Sequence, residues 1–308
     1  MIDAFTLDRS DLEAFAFGLS RPECVLPEPD GSLWVSDERG SLSHVQADGS
    51  VRTIGSMGGA PNGFARDPDG LFWIADIEGG RVCRMDADGR HEVVIDRHQG
   101  RPIGSANFLM ADRNGDLWLS VSTRVLPRSR ALAQPVPDGA VYRIRRLGPG
   151  TWAEPVCFAA GFHFTNEVRI APDHRALLVA ETALGRISRI DLDDQGQPLG
   201  KARPFGPAPV FPDAHVDGIV FDSEGNLWVT EIRRNALLVI TPQGRSHIVF
   251  EDPEGAVMRK PTSLCFAGAD LRTVIVGSLV DDHLKRFRSP VPGCEPVHWR
   301  WHNSGRCS

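Results

Sequence analysis

The chain has no run approaching the ~20 consecutive apolar residues that a bilayer-spanning helix needs. It also has no basic head followed by an apolar stretch near its start, where Asp3, Asp8, Asp11 and Glu13 interrupt the sequence. Basic surplus is missing too: 34 Lys and Arg stand against 40 Asp and Glu, a net charge of −6 over 308 residues. That balance speaks against nucleic-acid phosphates and membrane surfaces as partners and leaves a small molecule as the expected ligand of a cytoplasmic protein. The six cysteines (Cys24, Cys83, Cys157, Cys265, Cys294 and Cys307) show no C-x-x-C spacing. A chain of this length needs no disulfide staples, so reduced thiols are expected. Neither a G-x-S-x-G elbow nor a Walker-type loop occurs, which removes the support for serine-nucleophile and nucleotide chemistry.

What the chain does contain is a repeat. Between His215 and Glu231, Gly218-Ile-Val-Phe221 is a short β-branched and aromatic run, Ser223-Glu-Gly-Asn226 supplies turn chemistry, and Leu227-Trp-Val-Thr230 resumes a strand. Asp217 stands at the entrance of this hairpin. Sliding the template along the chain finds five further copies, opened by Glu23, Asn62, Asn107, Asn166 and Thr262, each seven positions before a turn residue. Repeats of this length with several short strands each are the signature of a β-propeller. The reading is therefore one all-β domain over 1–308, a six-bladed β-propeller. Leu12 to Phe17 reads as the last strand of a blade, so the start of the chain is expected to complete the sixth blade near Leu279 to Phe287 and leave no open sheet edge. Residues Val125 to Asp138 are a proline-rich insertion in blade three, either a lid over the channel or a surface decoration.

Six equivalent hairpin entrances should ring one mouth of the channel. Glu23, Asn62, Asn107, Asn166, Asp217 and Thr262 bring two carboxylates, three amides and a hydroxyl. Such a set of hard oxygens suits Ca²⁺, Mg²⁺ or Mn²⁺, whereas the absence of His and Cys from the ring argues against a dedicated tetrahedral zinc site. The alternative is local: polar residues at strand entrances also satisfy backbone groups of neighbouring blades, the favoured reading for Asn62 and Thr262. For Glu23 and Asp217 it is weaker, since two acids facing one channel repel unless a cation or a proton intervenes.

Arg21-Pro-Glu23, Ser105-Ala-Asn107, Thr165-Asn-Glu167 and Val216-Asp-Gly-Ile219, with Pro261-Thr-Ser-Leu264 and Pro296-Val-His-Trp299 beside them, resemble the regucalcin and gluconolactonase group of six-bladed propellers. The resemblance covers nearly the whole chain. It implies a divalent cation, Ca²⁺ first with Mg²⁺, Mn²⁺ or Zn²⁺ as alternatives, held by Glu23, Asn166 and Asp217 with Asn107 on or beside it. It further implies a metal-dependent hydrolase that opens a lactone or related ester. In that scheme Asp217, His163 and His215 are the candidate proton acceptors, and Asn107, Arg124, Phe108 and Ser105 the candidate substrate contacts. Ser105 and Phe108 replace the arginine and aspartate that the family often carries there, which points to a less hydroxylated substrate. The alternatives are a propeller that binds without turnover and a metal-free condensing enzyme like strictosidine synthase.

Overall fold

The hairpin repeat folds as six four-stranded antiparallel sheets, the blades of a propeller, in a computed structural model that describes residues 2–303. The innermost strands are Val25–Pro27, Pro61–Arg66, Ala106–Ala111, Thr165–Ile170, Val216–Phe221 and Pro261–Ala267, and they pack side by side around a common axis. The second strand of each blade is buried on both faces, which is why runs such as Phe72–Asp76 and Leu227–Glu231 read as almost continuously apolar rather than alternating.

A repeated device fixes the hairpin turns. The Asp67 carboxylate accepts the backbone N–H groups of Asp69 and Leu71 and, at 2.9 Å, the indole N–H of Trp73. Asp112 does the same for Asn114, Asp116 and Trp118, and Asp222 for Glu224, Asn226 and Trp228. A tryptophan can thus be fully buried with its one donor satisfied.

The ring closes as the sequence predicts. Glu13–Phe15 pairs antiparallel with Leu284–Arg288 in the sixth blade, in the register Glu13↔Arg286 and Phe15↔Leu284. Arg286 adds an ion pair to Glu13 at 2.6 Å and lies over the Phe15 ring. Two parts of the chain differ from expectation. The tail, which lacks repeat character, crosses the end of the channel opposite the hairpin entrances and forms a helix, Val297–Asn303, whose Trp299 indole donates to the Pro27 carbonyl at 2.7 Å. The blade-three insertion holds a short helix, Ser129–Ala133, that packs against Thr182–Leu184 of blade four, while Arg128 pairs with Glu78 of blade two. It therefore spans the entrance end of blade three from one neighbour to the other. The described cysteines are free thiols, and Cys307 lies outside the described residues. No helix among the described residues is long and apolar enough to cross a membrane.

Candidate functional site

Regular pleating would alternate side chains between the two faces of an inner strand, yet a propeller channel needs a polar side chain directed along its axis at one level. The chain solves this with a bulge. In blades two to six the register between first and second strands slips at the entrance residue, as between Pro61 and Phe64, Thr165 and Val168, or Val216 and Ile219. In three blades a hydroxyl from the second strand takes up the N–H that follows the entrance residue: Ser36 for Cys24, Ser120 for Phe108 and Thr230 for Gly218. Glu23, Asn62, Asn107, Asn166, Asp217 and Thr262 are brought to equivalent places, every one of them buried.

These six side chains divide by their bonds. The Thr262 hydroxyl donates to the Glu23 backbone carbonyl at 2.7 Å and serves the joint between blades six and one. Asn62 is a bridge: its Oδ1 accepts from Arg21 at 2.8 Å and its Nδ2 donates to the Asn107 carbonyl at 3.0 Å. Asn107 and Asn166 spend amide N–H groups on the wall, at Ser122 Oγ (2.9 Å) and Thr182 Oγ1 (3.1 Å) respectively. The Asn166 carbonyl oxygen is thereby left on the channel side, while the Asn107 oxygen also accepts from the Asn62 amide at 3.3 Å. Arg21, in a left-handed backbone conformation (φ 50°) that a non-glycine residue seldom holds, lays its guanidinium between Asn62 and the Glu23 carboxylate.

The electrostatics are dominated by desolvation. Burial raises the Asp217 carboxyl well above the ordinary carboxylate value, and the charges of Glu23 and then Glu167 push it further. Burial also raises Glu23, against the pull of Arg21, and raises Glu167, against the pull of Arg169. Three buried acids thus share one channel with two guanidiniums. One oxygen of Glu23, Oε2, accepts no hydrogen bond although the Arg21 guanidinium lies against it. A buried carboxylate oxygen met only by the Arg21 ion pair, a surplus negative charge and amide oxygens at one level fit a hard divalent cation. Among the described residues no three His, Cys, Asp or Glu side chains converge into a ligand cluster alone, so a cation here draws on Asn107 and Asn166 as well.

The remaining expected residues lie at different distances from this centre. His163 lies three residues before Asn166 and His215 two before Asp217, and their backbone N–H groups are fixed by Glu181 and Glu231 at 2.8 and 2.7 Å. Burial, and next the charge of Arg233, hold the His215 imidazole below its ordinary pKa, which keeps it neutral near pH 7. Ser105 is buried and engages blade three through its backbone, its N–H donating to Thr123 at 2.9 Å. Arg124 is at the mouth but is tied to the Tyr142 hydroxyl at 2.6 Å and to Asp138. Phe108 lies beneath the ring, in the core, with the Arg169 guanidinium 4.4 Å above its ring centre, so any influence on a ligand at the mouth passes through the channel floor.

Three participants escape a reading by hairpin alignment. Arg21 and Glu167 are neighbours of ring residues, and their charge inside apolar stretches was the available signal. Arg128, from the insertion, comes close enough for its charge to act on Glu23, and nothing in local sequence foretells that reach.

Residues 89–280 match the sequence profile of the SMP-30/Gluconolactonase/LRE-like region. A 6-deoxy-6-sulfogluconolactonase of Pseudomonas putida is 26% identical over 272 residues, which cover 85% of this chain and 84% of that protein. Among solved structures, a gluconolactonase of Xanthomonas campestris superposes with a TM-score of 0.71 at 20% identity, covering 91% of this chain and 89% of the other. A calcium-binding regucalcin of Agrobacterium tumefaciens gives 0.70 at 19%, covering 94% and 95%.

Proposed function

This chain belongs to the SMP-30/gluconolactonase/LRE-like family, and from that membership and the channel geometry we propose that it is a lactonase working at the ringed mouth of the propeller. The observation that carries the proposal is the buried Glu23–Asp217 pair, with the amides of Asn107 and Asn166 beside it and one Glu23 oxygen met only by the Arg21 ion pair. These four residues are the ligands for a divalent cation, Ca²⁺ first, with Mg²⁺, Mn²⁺ or Zn²⁺ as alternatives. Bound there, such an ion polarises a carbonyl oxygen and lowers the pKa of water.

The chain's own groups do the rest. Asp217, whose carboxyl is pushed upward by its surroundings, is placed to accept a proton from an attacking water. The neutral His215 is a second acceptor two residues away, and His163 its counterpart in blade four. Thr182 and Ser122 orient the amides, so that the oxygens need no reorganisation as charge develops. The insertion roofs blade three and excludes water from that side. Arg124 and Arg128 bring guanidiniums to the rim outside the acidic ring, a place for the anionic substituent of a lactone such as the name of the Pseudomonas putida relative specifies.

The deciding experiment is a lactone panel, comprising gluconolactone, an alkyl-substituted butyrolactone and a sulfonated sugar lactone, followed by acid release with each cation and with chelator. Cation-dependent opening of at least one member is expected. A loaded protein that opens none of them overturns the proposal in favour of a binding propeller or a condensing enzyme.

A further inference from the structure

The channel has a second end. Below the carboxylate ring the inner strands and the C-terminal segment line a half-open cavity of about 490 Å³. That volume falls within the range of small-molecule sites. Its body is apolar, with Phe64, Phe108, Met110, Leu264 and Phe266 on the wall. Its charged groups are unequal: Arg66, Arg113, Arg169 and Arg300 stand against Asp112 and Glu295.

Most of these charges are spent. Arg66 pairs with Glu28 at 2.7 Å, Arg169 with Glu167 at 2.9 Å and Arg300 with Glu295 at 3.3 Å, while Asp112 holds the Trp118 indole. Among the described residues the exposed Arg113 and the half-buried His174 imidazole make no hydrogen bond or ion pair, and both stand at the rim of the cavity. Uncommitted polarity in this chamber is therefore of one sign.

His174 is also out of place. The first-to-second-strand turns of blades one, two, three and five put glycine in the left-handed region, Gly31, Gly70, Gly115 and Gly225 at φ 80° to 87°. Blade four puts His174 there, at φ 60°, and blade six puts Leu271 there, at φ 52°. Glycine takes this conformation freely and a side chain strains it. Burial, and next the charge of Arg113, with Asp112 opposing, hold the His174 imidazole below its ordinary pKa.

We propose that this cavity is a binding site for an amphipathic monoanion, a carboxylate with a hydrocarbon body, its head on Arg113 and His174 and its body among the phenylalanines. The site is separate from the ringed mouth and does not depend on the lactonase reading. Calorimetric titration of the full chain with octanoate and with its neutral counterpart octanamide tests it. Octanoate is expected to bind about tenfold tighter, the scale of one charge-assisted hydrogen bond. The double variant Arg113→Gln, His174→Gly should lose that preference while melting no lower than the wild type, because glycine relieves the turn. Met110→Trp, which fills the chamber, should abolish binding of both ligands, and Asp217→Asn at the other end should leave it unchanged. Absence of octanoate binding, a preference that survives in the double variant, or loss of binding in Asp217→Asn each overturns the proposal.

Discussion

With a chelator present, Asp217→Asn should make this protein more stable at neutral pH. The Asp217 carboxyl is held above its unfolded value, about 3.9, by burial and by Glu23 and Glu167. Between the unfolded and folded pKa the native state binds more protons than the unfolded one, so stability falls as pH rises through that window and stays at its lower level above it. Each unit of elevation corresponds to about 1.4 kcal/mol. Two like charges about 4 Å apart at an effective dielectric of 20 repel by about 4 kcal/mol. A gain on the order of 2–4 kcal/mol follows for the asparagine variant near pH 7, fading to nothing below about pH 4. In thermal unfolding that is roughly 4–10 °C for a chain of this size. Added Ca²⁺ or Mn²⁺ should reverse the order: the wild type gains about 2.7 kcal/mol at a cation concentration of 100 times Kd, while the variant, lacking a ligand, does not respond. A variant that melts below the wild type in chelator at every pH, and rises with cation as the wild type does, would refute both the buried charge and its role as ligand.

Three further outcomes follow. Arg21 competes with a cation for the Glu23 carboxylate, so Arg21→Met should tighten divalent-ion binding by about tenfold, from removal of one like charge at the site; calorimetry showing unchanged or weaker binding would mean that Arg21 leaves Glu23 in the loaded state. Removing residues 1–18 exposes the edge strand Leu284–Arg288 and should produce concentration-dependent aggregation; a truncated chain that stays monomeric by light scattering with an unchanged Tm contradicts closure at this strand. Asp112→Ala orphans the Trp118 indole and two turn N–H groups, at about 1–3 kcal/mol for each buried donor left unpaired, and urea denaturation should show the midpoint falling by at least the value for one.

The blades were legible because most hairpins carry their signals locally: an apolar run, a turn with glycine in blades one, two, three and five, and a Leu-Trp or Phe-Trp pair that resumes the strand there. Closure was legible for the same reason, since Leu12 to Phe17 stands before Glu23 as other outer strands stand before their entrances. What local reading missed depends on contacts across blades or across the hairpin. The aspartate that opens the turn in blades two, three and five looks like ordinary turn chemistry, and only the fold brings its carboxylate to the indole six residues on. Arg21 is legible as a cation but not as the partner of Glu23, because its side chain reaches into blade two. Phe108 follows Asn107 by one residue, and the bulge between them decides that one rests on the ring and the other beneath it. The tail offered no periodicity because it belongs to no blade; its helix seals the channel instead.

The bulges bear on how such a molecule can change. An entrance residue sits where the first and second strands are already out of register, and the following N–H in three blades is served by a hydroxyl on the second strand. Exchanging the entrance side chain therefore disturbs no ladder bond, although Asn62 and Thr262 also bond across to neighbouring blades. The mouth behaves as six sockets in a fixed frame, in which carboxylate, amide or hydroxyl can be fitted one at a time. New chemistry on this scaffold is a matter of single substitutions, whereas loss of a hydroxyl such as Ser120 would deform the socket that holds them.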